Sequence, residues 1–207
     1  KTNFNVVGKQ MLIMLRNSHY ERLNIDDLGV RFFDTYIKSL DGNKQYFLAS
    51  DIDMFRAKYG TNLHELLLDG QCMTPAEEIY NLYRERANDR IKYAQELLKD
   101  DSRFTFDSDR EVILDREKVQ WPASDEEAKQ IWKDQVEQAL LSEFLRRESV
   151  ADLAAKQGKA DPLKDKKLPG EMISLRYERI LKSINSADEE DIADRFFSAI
   201  AKSYDPH

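Results

Sequence analysis

Ile79, Tyr83, Ala87, Ile91, Ala94 and Leu98 recur every three or four residues, a period that an α-helix gathers onto one face and a strand does not. Thr74-Pro75-Ala76-Glu77 stands just ahead of this stripe and reads as a capping box with proline in the first turn, so a helix is predicted to open there. The same period returns along most of the chain. Val7, Met11, Met14 and Leu15 predict an opening helix ending near His19 and Tyr20. Asn24, Asp26 and Asp27 start a second, whose Leu28, Phe32, Phe33, Tyr36, Ile37 and Leu40 form a broad aromatic face suited to a core. Asp41-Gly42-Asn43 stops it, Tyr46 and Phe47 follow, and Ser50, Asp51 and Asp53 cap a short third helix, which implies a compact corner.

Further on, Ser124-Asp125-Glu126-Glu127 is a second capping box. Ala128, Ile131, Trp132, Val136, Ala139 and Leu140 then mark one face of a helix predicted to pass Phe144. Pro169-Gly170 introduces a helix on Ile173, Tyr177, Ile180, Leu181 and Ile184, and Ser186-Ala187-Asp188-Glu189 caps the last, on Ile192, Phe196, Phe197 and Ile200. Two stretches break the pattern. Near 100–123, Phe104, Phe106, Val112, Ile113 and Leu114 sit among charges without a repeat, which predicts irregular or short extended chain. Residues 156–170 hold five Lys, two Asp, two Pro and two Gly, the composition of an exposed, mobile linker. Only seven glycines and five prolines punctuate 207 residues, and 41% are hydrophobic; long helices around a core fit this usage and an all-β fold does not. The prediction is an all-α irregular bundle of six or seven helices, one domain spanning 1–207.

Charge and motifs narrow the function. With 39 acids against 32 bases the formal charge is −7, which opposes phosphate backbones, so no nucleic-acid partner is predicted. The longest apolar run, Met11 to Leu15, falls far short of the ~20 residues that cross a bilayer. Cys72 has no intrachain partner and leaves the redox compartment open; the absence of a leader at Lys1 fits a cytosolic protein or one already processed. His64-Glu65 opens like a zinc-protease helix, but Leu68 stands where the second histidine belongs, leaving a surface pair. Asp107 to Glu111 opens like a calcium loop, but Val112 replaces its glycine and Lys118 its bidentate glutamate. Cys72 lies near a helix start, where a thiol pKa can fall, yet a structural cysteine is the commoner case. Arg84, Arg86, Arg90 and Lys92 interleave with Glu77, Glu78, Glu85, Asp89 and Glu96 as a solvated helix face. No nucleophile elbow or phosphate loop occurs. The residues nominate no catalytic, cofactor-binding or metal-ligating side chain.

The stretch HYERLNIDDLGVRFFDTYIKSLDGNKQYFLASDI, residues 19–52, resembles the opening of the N-terminal region of the tail-specific (C-terminal-processing) serine protease family. His19 and Tyr20 match the pair that ends one helix, Phe33, Tyr36, Leu40 and Asp41 the aromatic helix ending in Leu-Asp, and Phe47 and Asp51 the next helix start. The likeness continues through YNLYRERANDRIKYA at 80–94, the Trp132 helix, LRYERIL at 175–181 and the terminal Tyr204, Asp205, Pro206 and His207. The resemblance implies a periplasmic serine endopeptidase, without cofactor, whose PDZ domain engages a substrate's C-terminus and whose Ser-Lys dyad cuts peptide bonds. Both elements are expected after His207. Protein substrates would be met through those downstream domains. This region would supply part of a chamber wall and a docking surface for an adaptor protein. The lysines of 156–170 match no functional element of the family; exposed and hydrated, they are poor bases. The rival reading is a free-standing helical interaction module without an enzymatic parent.

Overall fold

A computed structural model describes residues 1–18, 25–101, 104–106 and 112–204. Among them lie eight helices: α1 (Phe4–Ser18), α2 (Ile25–Asp41), α3 (Ala49–Tyr59), α4 (Leu63–Leu68), α5 (Met73–Leu98), α6 (Asp125–Lys156), α7 (Pro169–Ser186) and α8 (Glu189–Ser203). No strand occurs among the described residues, so the all-α prediction holds. The helix beyond the expected six or seven is α4, a single turn and a half too short to show a period. Helix α5 is the spine, with α6 and α7 packed on it and α8 bridging to a second group formed by α1, α2 and α4. Ser203 Oγ lies 3.4 Å from the Arg31 carbonyl and Arg195 Nη1 3.3 Å from the Ser39 carbonyl, so α2 and α8 run antiparallel.

The aromatic face of α2 is buried as predicted, with Leu28, Phe32, Phe33, Tyr36, Ile37 and Leu40 all inside, and so is the whole Ile79 to Leu98 stripe. The α6 stripe lies against α5, and α6 runs well past Phe144. Two buried tyrosines bond across helices, Tyr36 donating to the Ala76 carbonyl at 2.7 Å and Tyr80 to that of Ile184 at 3.0 Å. Helix α1 turns differently from its predicted stripe. Leu12 is its buried centre, whereas Val7 and Met14 face outward, because Gly8 is the point of closest approach: a Cβ there would meet Cys72 Sγ at 2.7 Å and Phe197 at 3.0 Å. In α7 Ile180 is likewise exposed.

Helix starts follow local chemistry with shifts of one or two residues. Ser124 caps α6 as predicted, accepting from Glu127 N–H at 3.2 Å, while the Glu127 carboxylate accepts from Ala123 N–H at 2.8 Å. The cap of α8 is Asp188 rather than Ser186, in a reciprocal box with Asp191 (2.9 and 3.1 Å). Thr74 does not cap α5; the helix begins at Met73, whose N–H donates to the Asn5 carboxamide of α1 at 2.9 Å. The arginines of α5 also depart from prediction. Arg86 and Arg90 reach across to Asp51 and Asp125 instead of facing water, and Arg90 is only 4% exposed. His64 is no surface residue either; it is 8% exposed beneath α2, while Glu65 stays outside. Non-helical chain covers 112–123 and 157–168; the expected linker 156–170 is shorter at both ends, since Lys156 closes α6 and the buried Pro169 and Gly170 open α7, and what is left is exposed apart from the half-buried Asp161 and Leu163.

Candidate functional site at the Asp41 corner

Of the residues that carry the family resemblance, Leu40, Asp41, Phe47 and Asp51 meet at one corner between α2, α3 and the segment before α6. Asp41, the last residue of α2, is 2% exposed. Its two carboxylate oxygens accept from the backbone N–H of Gln45 (2.8 Å), Tyr46 (3.2 Å) and Phe47 (3.0 Å) and from Trp121 Nε1 (3.1 Å). Burial pushes its carboxyl above the ordinary aspartate range, while the four N–H donors pull it back. The chain thus folds around a carboxylate. Lys44 takes a left-handed backbone (φ 51°) inside this loop, and its ammonium bonds the Val119 carbonyl at 3.0 Å over the face of Trp121. Asn43 Oδ1 accepts from Arg116 N–H at 2.7 Å, and Trp132 Nε1 donates to the Gln45 carbonyl at 2.8 Å. Loop 42–47 is therefore riveted to both 114–122 and α6.

Asp51 completes the corner. One oxygen accepts the Leu48 N–H at 2.9 Å, opening α3, and both receive the fork of Arg86 at 2.8 Å. Phe47 packs on Phe55 and Tyr83, and Tyr46 on Tyr83 and Trp132. Phe33, Tyr36, Leu40 and Phe47 are fully or almost fully buried, as is Tyr204 at the far end of α8 against Phe32. His19, Tyr20, Asp205, Pro206 and His207 lie outside the described residues, as does the Asp107 to Glu111 loop.

Away from the corner, reactive groups are quiet. Cys72 is wholly buried and its thiol is pushed up to about 11 by that burial, so the helix start does not activate it. Glu143 is the exception to a bland surface. It is 5% exposed on α6 and is flanked by Arg146 (2.7 Å), Arg147 (3.1 Å) and Arg176 of α7 (3.8 Å). Hydrogen bonding from Arg146, then from Arg147, holds its carboxyl far below the ordinary 4.5, at about 2, against the opposing effect of desolvation. A depressed carboxylate pKa stabilises the fold above the unfolded value and loses that contribution as pH falls from about 4.5 toward 2. In Glu143→Gln, acid denaturation followed by circular dichroism should accordingly be shallower over that window, with stability at neutral pH lower by about 2 kcal/mol. An unchanged acid limb would show that the cluster does not contribute.

Sequence reasoning missed Trp121, Arg86 and the Glu143 cluster. Trp121 had one signal, a large aromatic beside a proline in an otherwise polar stretch; Glu143 had another, arginines three and four residues on.

Residues 11–207 match the family described as the tail specific protease N-terminal domain. The chain is also 30% identical, over 200 residues, to a tail-specific protease of Haemophilus influenzae, covering 96% of this chain and 26% of that protein. It thus spans about a quarter of that relative's length. With the family match running from α1 to the end of α8, the chain belongs to the tail-specific protease N-terminal domain family.

Proposed function

We propose that this chain is the non-catalytic N-terminal helical domain of a periplasmic, serine-type tail-specific endopeptidase, forming part of the wall of its proteolytic chamber and a docking surface for an adaptor protein. The observation that carries the reading is the family match over 11–207 combined with a relative, itself called a tail-specific protease, roughly four times as long. What the fold supplies agrees with a scaffold: long helices pinned by the Asp41 corner hold their shape without offering a nucleophile. The signature residues Phe33, Tyr36, Leu40, Asp41, Phe47, Asp51 and Tyr204 serve in this reading as framework, their side chains turned inward. Among the described residues no helix is long and apolar enough to cross a membrane. The serine and its lysine base, the PDZ domain and the contact with protein substrates belong in this reading to the polypeptide after residue 207, and the 157–168 segment to a linker.

Peptides differing only at their C-terminal residues, incubated with the full-length protein and with the 207-residue chain, provide the test. Tail-dependent cleavage by the full-length protein alone, abolished by a serine-directed inhibitor, is expected. Cleavage by the 207-residue chain, or a full-length protein indifferent to the tail, would overturn the assignment. Fractionation of the source cells should place the protein in the periplasm.

A further inference from the structure

Where α2 and α8 lie antiparallel, they line a trough of about 600 Å³ to which Asp115 and Glu117 also contribute. Small side chains, among them Thr35, Ser39, Ser198 and Ala199, make up much of its lining. Four cations line it as well. Arg31 and Lys38 lie on α2 and Arg195 and Lys202 on α8, each pair two helical turns apart, about 10.5 Å along the axis. Antiparallel packing sets Arg31 near Lys202 at one end and Lys38 near Arg195 at the other.

Asp115 and Glu117 are the acids that line this trough, so four cations face two acids and the lining carries a net charge of +2, whereas the whole chain carries −7. Glu117 pairs with Lys38 at 2.9 Å. Arg31, Arg195 and Lys202 make no ion pair among the described residues, although Arg195 reaches the Ser39 carbonyl. Guanidinium and ammonium groups that make no ion pair among the described residues, in a groove also lined by small side chains, suit the carboxylate side chains of a peptide lying extended. At about 3.3 Å per residue an extended peptide spans the two ends with roughly four residues. A long polyanion is disfavoured, because beyond a Debye length of about 10 Å it meets the negative remainder of the chain.

We propose that the α2–α8 trough binds a short, extended, acidic peptide segment of a partner protein, with carboxylates at its two ends on Arg31/Lys202 and Lys38/Arg195. The proposal stands on charge and shape and does not depend on the chamber-wall reading.

A fluorescently labelled peptide of alternating Glu and Asp, titrated against the 207-residue chain and followed by anisotropy, tests it. Saturable binding is expected that weakens with salt and is absent for the Gln/Asn counterpart. Arg31→Glu with Lys202→Glu should weaken it at least about tenfold, and Arg31→Gln with Lys202→Gln severalfold. Lys164→Glu with Lys166→Glu, the same charge change in the exposed 157–168 segment, should leave it within about twofold. Equal loss in both reversal pairs would show a mere net-charge effect, equal binding of the Gln/Asn peptide would remove the carboxylate requirement, and no saturation would remove the site. Competition by an oligonucleotide as effective as the unlabelled peptide would make it a general polyanion surface. Any of these overturns the proposal.

Discussion

Asp41→Ala is expected to lower the stability of the chain by about 4 kcal/mol, the largest effect of any substitution of a polar residue. The aspartate accepts three backbone N–H groups and an indole N–H, and each buried donor left without an acceptor costs about 1–3 kcal/mol, partly offset by relief of the buried charge. At this size the loss corresponds to a midpoint about 10 °C lower. Urea denaturation reads it directly, as a lower midpoint with an unchanged slope. Asp41→Asn keeps one acceptor oxygen but turns an NH2 toward N–H donors, and should fall about halfway. A cost below about 1 kcal/mol for the alanine variant would mean that loop 42–47 finds other acceptors.

Gly29→Ala should destabilise by about 3 kcal/mol even though it lies within α2, where alanine ordinarily improves helix propensity by up to about 1 kcal/mol. The sign is decided by space. A Cβ at Gly29 would stand 2.0 Å from the carbonyl oxygen of Thr61 and 2.8 Å from His64 Nδ1, and a backbone carbonyl cannot rotate away as a side-chain tip does. The substitution must push α4 off α2 and uncover His64. Gly8 is a milder case, since the atoms that its Cβ would meet belong to the side chains of Cys72, Phe197 and Leu67. Thermal unfolding of both alanine variants separates the two situations, and a stabilised Gly29→Ala would refute the close approach of the two helices.

These two residues mark opposite degrees of legibility. Asp41 was visible: an acid at a helix end, followed by glycine and two aromatics, predicted a compact corner, and the structure builds one. The partners that bury it were not, because Trp121 lies 80 residues away and no periodicity links a loop tryptophan to a helix end. Gly29 carried no signal at all. Its role depends on Thr61 and on α4, and a helix of six residues is too short to display a face. The arginines of α5 misled for a related reason. Interleaved charges look solvated along one helix, and only the placement of Asp51 and Asp125 on neighbouring elements turns Arg86 and Arg90 inward.

Apolar period and end chemistry are local, so the residues alone determine the all-helical class, the inward faces of α2, α5, α6 and α8, and the approximate helix ends. Motif order likewise carries the family. Which helices touch is a matter of distant pairs. Tertiary structure alone decides that Asn5 caps α5, that Gly29 admits Thr61, that Glu143 gathers three arginines, and that two stripes of cations 164 positions apart in sequence (Arg31 and Arg195) border one trough. Burial and charge pairing depend on what another segment brings to the same place, and no local pattern contains that information.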